Sequence, residues 1–181
     1  MTDKKPTIKG IFVNSHINKV RQEKGEEGVR ELEKKFGMKI DFGNLEDVPV
    51  REEVRLIECS LEVLKGQSMP DSERAFEAGR LHFINFSGTP FGRIIFSQFK
   101  NSFKMMMMNA PSIAGHVFKG VRFYSEDMGP NSVKVTMENN DYPIDHFRGL
   151  FQEWMSFSGF EGTVEAKETA PNRYEYLAQW K

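Results

Sequence analysis

The side chains able to do acid–base, nucleophilic or metal chemistry are few and scattered in this 181-residue sequence. Its histidines are His16, His82, His116 and His146, and its one thiol is Cys59. No two histidines stand at the His-x-x-x-His spacing that puts two imidazoles on one helical face, and one cysteine cannot complete a Cys/His zinc pattern. No metal site is visible along the chain. Asp145 and His146 are adjacent, and neighbours on a helix point apart, so they make no local acid–base pair. Each histidine reads as a hydrogen-bonded or solvent-facing side chain. Cys59 falls in a helical segment with no charge cluster to lower a thiol pKa, which describes an inert thiol. Neither a Gly-x-Gly-x-x-Gly turn nor a Walker loop occurs. The expectation is a protein without catalysis and without a cofactor.

Charge and composition narrow the partners. The 25 basic and 26 acidic side chains leave a net charge of −1, which gives no footprint for nucleic acid. A lone cysteine excludes an intramolecular disulfide and suits a reducing compartment. No apolar run approaches the ~20 residues needed to span a bilayer, and the opening residues lack the apolar stretch of a secretory signal. A cytoplasmic protein with no membrane span is expected. Phenylalanine and methionine dominate the large apolar residues, at 16 and 10 against 4 Tyr and 2 Trp. They supply bulk and adaptable shape, as a core requires and as a pocket for a greasy ligand also requires.

The elements that must position these side chains follow from periodicity. Residues 1–7 read as a flexible N-terminus and 8–181 as one domain. Ile8, Ile11, Phe12, Ser15 and Lys19 follow helical spacing, with Ile11, Phe12 and Val20 turned inward. Gly25 and Gly28 interrupt before Val29, Leu32 and Phe36 mark a second helix, stopped by Gly37. A helix from Val50 carries Val54, Ile57, Leu61 and Leu64 on one face and ends at Gly66. Ser68 and Asp71 resemble a capping box opening a helix to about Phe83. Thr89-Pro90 then starts a long helix running to about Ala110. In the second half Val133, Val135 and Met137 alternate with polar residues, as in a half-buried strand. Asp141 and Pro143 open a helix with Phe147, Leu150, Phe151 and Trp154 inward. Thr163–Lys167, Tyr174–Trp180 and Val121–Tyr124 read as further strands. Helices followed by strands argue for an α+β fold with an antiparallel sheet covered on one side.

Phe96, Phe99, Phe103, Met106 and Met107 share one face of the long central helix, which is apolar over a wide arc. Pro111 ends or kinks it at Asn109–Ala110. Such a stripe is either plain core or the wall of a pocket, and periodicity does not separate the two.

Several short motifs resemble a known superfamily. Lys9-Gly10-Ile11-Phe12-Val13 followed by Gly25-Glu26-Glu27 resembles the start of haem–nitric-oxide-binding (H-NOX) domains. Phe103 with Met105–Met108, and Phe147-Arg148-Gly149-Leu150, look like two further landmarks. The order KGIFVNSH, GEEG, VPVREEVRLIE and RLHFINF is closer still to a paralogous family of uncharacterised function, abundant in myxobacteria and other predatory bacteria. The resemblance runs from about Lys9 to Trp180. It implies an H-NOX-like α+β domain, related also to 4-vinyl-reductase-like ligand-binding domains, in which helices and an antiparallel sheet enclose an apolar cavity. Fold alone does not carry function across such relatives.

The resemblance also implies where haem would be held, and the matching positions lack the groups. Pro111 stands where the iron-binding histidine would be, and proline has no ligating atom. Met137, Asn139 and Asp141 stand where a Tyr-x-Ser-x-Arg motif would grip the propionates, and an aspartate repels them. What the resemblance then implies is a haem-free cavity holding a fatty acid or similar hydrophobic molecule. Phe96, Phe99, Phe103, Met106, Met107, Phe118, Met137 and Phe151 would line it. Arg122 would meet the carboxylate, with Lys119, Arg80 and Tyr124 as other anchors at the mouth. Each buried methylene would contribute about 0.8 kcal/mol. The alternative is a cavity packed solid with side chains, in a protein that acts as an interaction or dimerisation module through its opening helix at Ile8–Val20.

Overall fold

The structure is a computed structural model and describes residues 5–99 and 102–181. The chain opens with strand β1 (Thr7–Lys9) and enters helix α1 (Gly10–Phe36), then strand β2 (Asp47–Pro49) and helix α2 (Val50–Lys65). Helices α3 (Asp71–Gly88), α4 (Pro90–Gln98), α5 (Phe103–Met108) and α6 (Ala110–Val117) follow, then the two-residue strand β3 (Phe118–Lys119). The second half runs β4 (Arg122–Gly129), β5 (Ser132–Glu138), α7 (Ile144–Phe157), β6 (Gly162–Ala170) and β7 (Arg173–Trp180). A four-stranded antiparallel sheet takes the order β4-β5-β7-β6, and β2-β1-β3 make a small second sheet. This is the expected α+β architecture of N-terminal helices and a C-terminal antiparallel sheet.

Local chemistry explains most of the element ends. α1 changes direction at Gly25, whose φ of 66° no β-carbon residue adopts readily, and α1 stops at Gly37 in the left-handed region. Gly66 closes α2 in the same way. Thr89 Oγ1 accepts from the Gly92 N–H at 3.0 Å, and Pro90 occupies the first turn of α4.

Five expectations change. The segment at Ile8 is a strand, because Thr7–Lys9 pair with both β2 and β3. Thr7 therefore belongs to the folded body, while residues 1–4 of the expected flexible N-terminus lie outside the described residues. Ile11, expected inward, is 45% exposed. α3 runs on to Gly88 and begins after Pro70, with no side-chain cap from Ser68. The long helix expected over 89–110 is divided: α4 ends at Gln98, and Ser102 caps a separate α5 by accepting from the Met105 N–H. Lys100 and Asn101, which that helix was to include, lie outside the described residues. A further break at Asn109, one residue before the Ala110-Pro111 start of α6, falls where proline excludes a continuous helix.

Two large apolar cores result. One joins α4, α5 and α7 to the inner face of the four-stranded sheet, with Phe103, Met107, Val133, Val135, Met137 and Phe151 shut from water. The other joins α1, α2 and the small sheet around Val13, Val20, Leu32 and Leu56. Phe86 and Phe118 touch both. α3 and α7 cross closely because Gly79 and Gly149 lack side chains there. A β-carbon on Gly149 would sit 2.0 Å from the Phe76 carbonyl oxygen.

Candidate functional site

Four helices place a polar side chain inside their apolar stripe. On α1, His16 lies between Phe12 and Val20, and both neighbours are buried. On α2, Glu53 follows Val50 by three residues and precedes Ile57 by four. On α3, His82 stands one turn after the buried Ala78, with Asn85 three residues on. On α7, His146 precedes the buried Phe147 and Gly149, and Tyr142 comes just before the helix. Helix geometry turns the five helical side chains toward the interior, and all six are at most 6% exposed.

They meet in one cluster. His16 Nε2 lies 2.7 Å from Glu53 Oε1, and His82 Nε2 lies 3.6 Å from the same oxygen. The ligating atoms of His16, Glu53 and His82 all fall within 4.8 Å of one another. Around them, Asn85 Nδ2 donates to His16 Nδ1 at 2.8 Å, and His146 Nε2 stands 3.0 Å from His82 Nδ1. The Tyr142 hydroxyl donates to Glu53 Oε2 at 2.6 Å. Within the cluster two buried atoms are left without a hydrogen-bond partner, Asn85 Oδ1 and His146 Nδ1.

The electrostatics hold Glu53 as a carboxylate. Burial alone would raise the Glu53 carboxyl. The His82 and His16 imidazoles outweigh it and hold the group at about 2. Burial lowers His82 to about 4 against the pull of Glu53, and lowers His146 to about 3 with His82 adding to the effect. Burial and the Glu53 carboxylate push the Tyr142 hydroxyl up, so it stays a donor. At neutral pH, Glu53 is a buried carboxylate, and the His82 and His146 imidazoles are neutral.

Sequence spacing could not reveal this cluster, because His16, Glu53, His82 and His146 each come from a different helix. The available signal was a titratable side chain sitting in an apolar stripe, repeated on four separate helices. The reading of these three histidines as hydrogen-bonded agrees with their contacts. His116 is exposed on the last turn of α6, and Cys59 is half-buried with its thiol pushed up by burial. Asp145 turns away from the cluster and pairs with Arg148.

The residues expected to line a ligand cavity divide. Phe96, Phe118 and Phe151 line an apolar cavity of about 60 Å³, together with Phe83, Ile113 and Trp154. His82 contributes its wall on the side of the polar cluster. Phe103, Met106, Met107 and Met137 are buried in the core outside that lining, and Phe99 is partly buried against the same core. Arg122 is exposed and paired with Glu138 at 3.1 Å. Lys119 pairs with Asp47 and Arg80 with Glu153, and Tyr124 donates to Glu138. None of these four anchors reaches the cavity lining.

With this geometry in hand, solved structures give a clear fold match. An H-NOX domain studied for its mechanism of activation superposes with a TM-score of 0.72 at 20% identity, covering 96% of this chain and 97% of that one. An oxygen-binding H-NOX domain related to soluble guanylate cyclases gives 0.71 at 18%, covering 96% and 95%. A member of the H-NOX family used to probe the function of haem distortion gives 0.69 at 19%, covering 96% and 95%. At such identities the likeness is one of fold. A family model described as "Protein of unknown function (DUF2378)" matches residues 2–181. A search of curated proteins returned no match.

Haem, which the H-NOX fold implies, does not fit these residues. Ala110, Ile113 and Ala114 of α6 face the cavity, and Pro111 stands at the position matched to the iron ligand. Asp141, matched to the propionate-binding arginine, is paired with Arg51 at 2.9 Å. The cavity is also well below the ~300–1,000 Å³ typical of ligand pockets.

Proposed function

The chain belongs to the DUF2378 family, and from that premise we propose that it is a haem-free, non-enzymatic ligand-binding domain for a hydrophobic small molecule. The observation that carries this reading is the cavity against α6, walled by aromatic and aliphatic side chains with His82 as its polar edge. Apolar surface of this kind binds by burial, and a cavity of ~150 Å³ lined by similar residues admits benzene. At about 60 Å³ the present space suits only a few non-hydrogen atoms without movement of its walls. A fatty acid, the fuller form of the proposal, enters by displacing rings such as Phe86 and Phe96. Its carboxylate finds no cation among the lining residues, so affinity rests on the hydrocarbon.

Native mass spectrometry of the purified chain, with thermal shifts across benzene, hexanoic acid and palmitic acid, tests this. A retained hydrophobic molecule or a saturable rise in Tm with one of the three is expected. No retained molecule and no shift with any of them would overturn it.

The small volume also supports a second reading, in which packing has replaced the ligand and the protein works through its surface, by dimerisation or a signalling partner. A groove of about 300 Å³ between α1 and α3 exposes Ile11 and Ile84 beside Lys19 and Gln22. Light scattering distinguishes this: a monomer whose mass is unchanged by Ile11→Asp and Ile84→Asp removes the dimer form of the reading. No helix among the described residues is long and apolar enough to cross a membrane.

A further inference from the structure

We infer that His16, Glu53 and His82 form a binding site for one divalent transition-metal ion, with zinc the best match to the donor set. The argument is geometric. Each of the three side chains has two polar atoms, and in each the outward one is already held by another residue. His16 Nδ1 is held by Asn85, His82 Nδ1 by His146, and Glu53 Oε2 by Tyr142. The remaining three atoms, two Nε2 and one Oε1, lie within 4.8 Å of one another. Outer partners on the non-ligating atom are how proteins fix the tautomer and orientation of metal-binding imidazoles and carboxylates.

Two of the three donor–donor distances need little change. Metal bonds of about 2.0–2.1 Å in tetrahedral geometry set donors roughly 3.4 Å apart. His82 and Glu53 stand 3.6 Å apart already, and His16 and Glu53 stand 2.7 Å apart, so the second pair opens by about 0.7 Å. His16 must then carry its proton on Nδ1. Asn85 Oδ1, buried and without a hydrogen-bond partner, is positioned to accept it once the carboxamide turns over. Two imidazoles and one carboxylate match three-ligand zinc sites that keep a further position for water or another small ligand. The ion also offsets the charge of the buried carboxylate. Asn85, which holds His16, also lines the groove between α1 and α3, so the groove lies next to the cluster.

The competing account is a closed hydrogen-bond cluster in which a proton shared by His16 and Glu53 does the ion's work. Chelator-stripped full-length protein, titrated with Zn²⁺ and separately with Co²⁺, separates the two. Expected are one ion per chain by elemental analysis, a rise in Tm, and Co²⁺ absorption bands of a tetrahedral or five-coordinate site. Proton NMR of the Co²⁺ form should show shifted imidazole N–H signals from two histidines. That measurement uses the unaltered chain and does not depend on any variant folding. Glu53→Gln, which keeps shape and hydrogen bonding, should weaken binding at least tenfold, whereas His116→Ala should leave it unchanged. Failure of the stripped chain to take up either ion, or equal binding by Glu53→Gln, would overturn the assignment.

Discussion

The Tyr142 hydroxyl donates a 2.6 Å hydrogen bond to Glu53 Oε2, joining residues 89 apart in sequence inside a site closed to water. A buried carboxylate oxygen deprived of its donor loses charge-assisted stabilisation without recovering solvent. Tyr142→Phe keeps the ring, which packs on His146 and Phe147, and removes only this bond. Denaturant midpoints should show a loss of about 1–3 kcal/mol in the chelator-treated protein.

Acid should weaken the metal-free fold early. His82 is lowered from 6.5 to about 4 and His146 from 6.5 to about 3, so the unfolded chain takes up their protons first. Stability is full above about pH 6.5 and falls as pH drops toward 4 and then 3. Glu53, lowered from 4.5 to about 2, adds a loss in the same direction below about pH 4.5. His16 and Tyr142 complete the groups facing these three, from α1 and from the segment before α7. Urea midpoints measured from pH 8 to 4 check this, and a profile flat between pH 7 and 5 would contradict it.

The crossing of α3 and α7 tolerates no added carbon. Gly149→Ala places a β-carbon 2.0 Å from a backbone oxygen that cannot swing away. Separation of the two helices should cost about 3 kcal/mol or more and pull His146 off His82. Thermal unfolding gives the first effect. The second appears as a changed titration of the His82 ring in NMR.

Enlarging the apolar cavity should convert a stability loss into affinity. Phe151 is 1% exposed and lines that space. Phe151→Ala should cost about 3–5 kcal/mol, and benzene should restore part of the lost Tm in the variant. Equal benzene shifts in variant and parent would place the ligand elsewhere.

The sequence made some of this legible. Val133, Val135 and Met137 announce β5 because a strand with one wet face alternates, and all three are fully buried. Thr89-Pro90 and the glycines at 37 and 66 mark helix ends through local backbone chemistry. The break between α4 and α5 was hidden, since Phe96, Phe99 and Phe103 keep helical spacing across it. Strand β1 was hidden too, because three residues carry too little periodicity and its pairing partners lie about 40 and 110 residues away. The polar cluster depends wholly on tertiary convergence. In a linear reading, Glu53 is one acid among several on a charged helix, and its seat between Val50 and Ile57 was the one clue.

That cluster also lies on the seam between the two apolar cores, with His16 and Glu53 anchored on the N-terminal side and His146 and Tyr142 on the other. It therefore closes loops of up to 89 residues, from Glu53 to Tyr142. Contacts of such sequence separation carry a loop-closure cost and are expected to form late in folding. Disturbing the cluster should hasten unfolding while leaving the refolding rate nearly unchanged. The buried imidazoles and their carboxylate would then act as a latch that sets the lifetime of the native state.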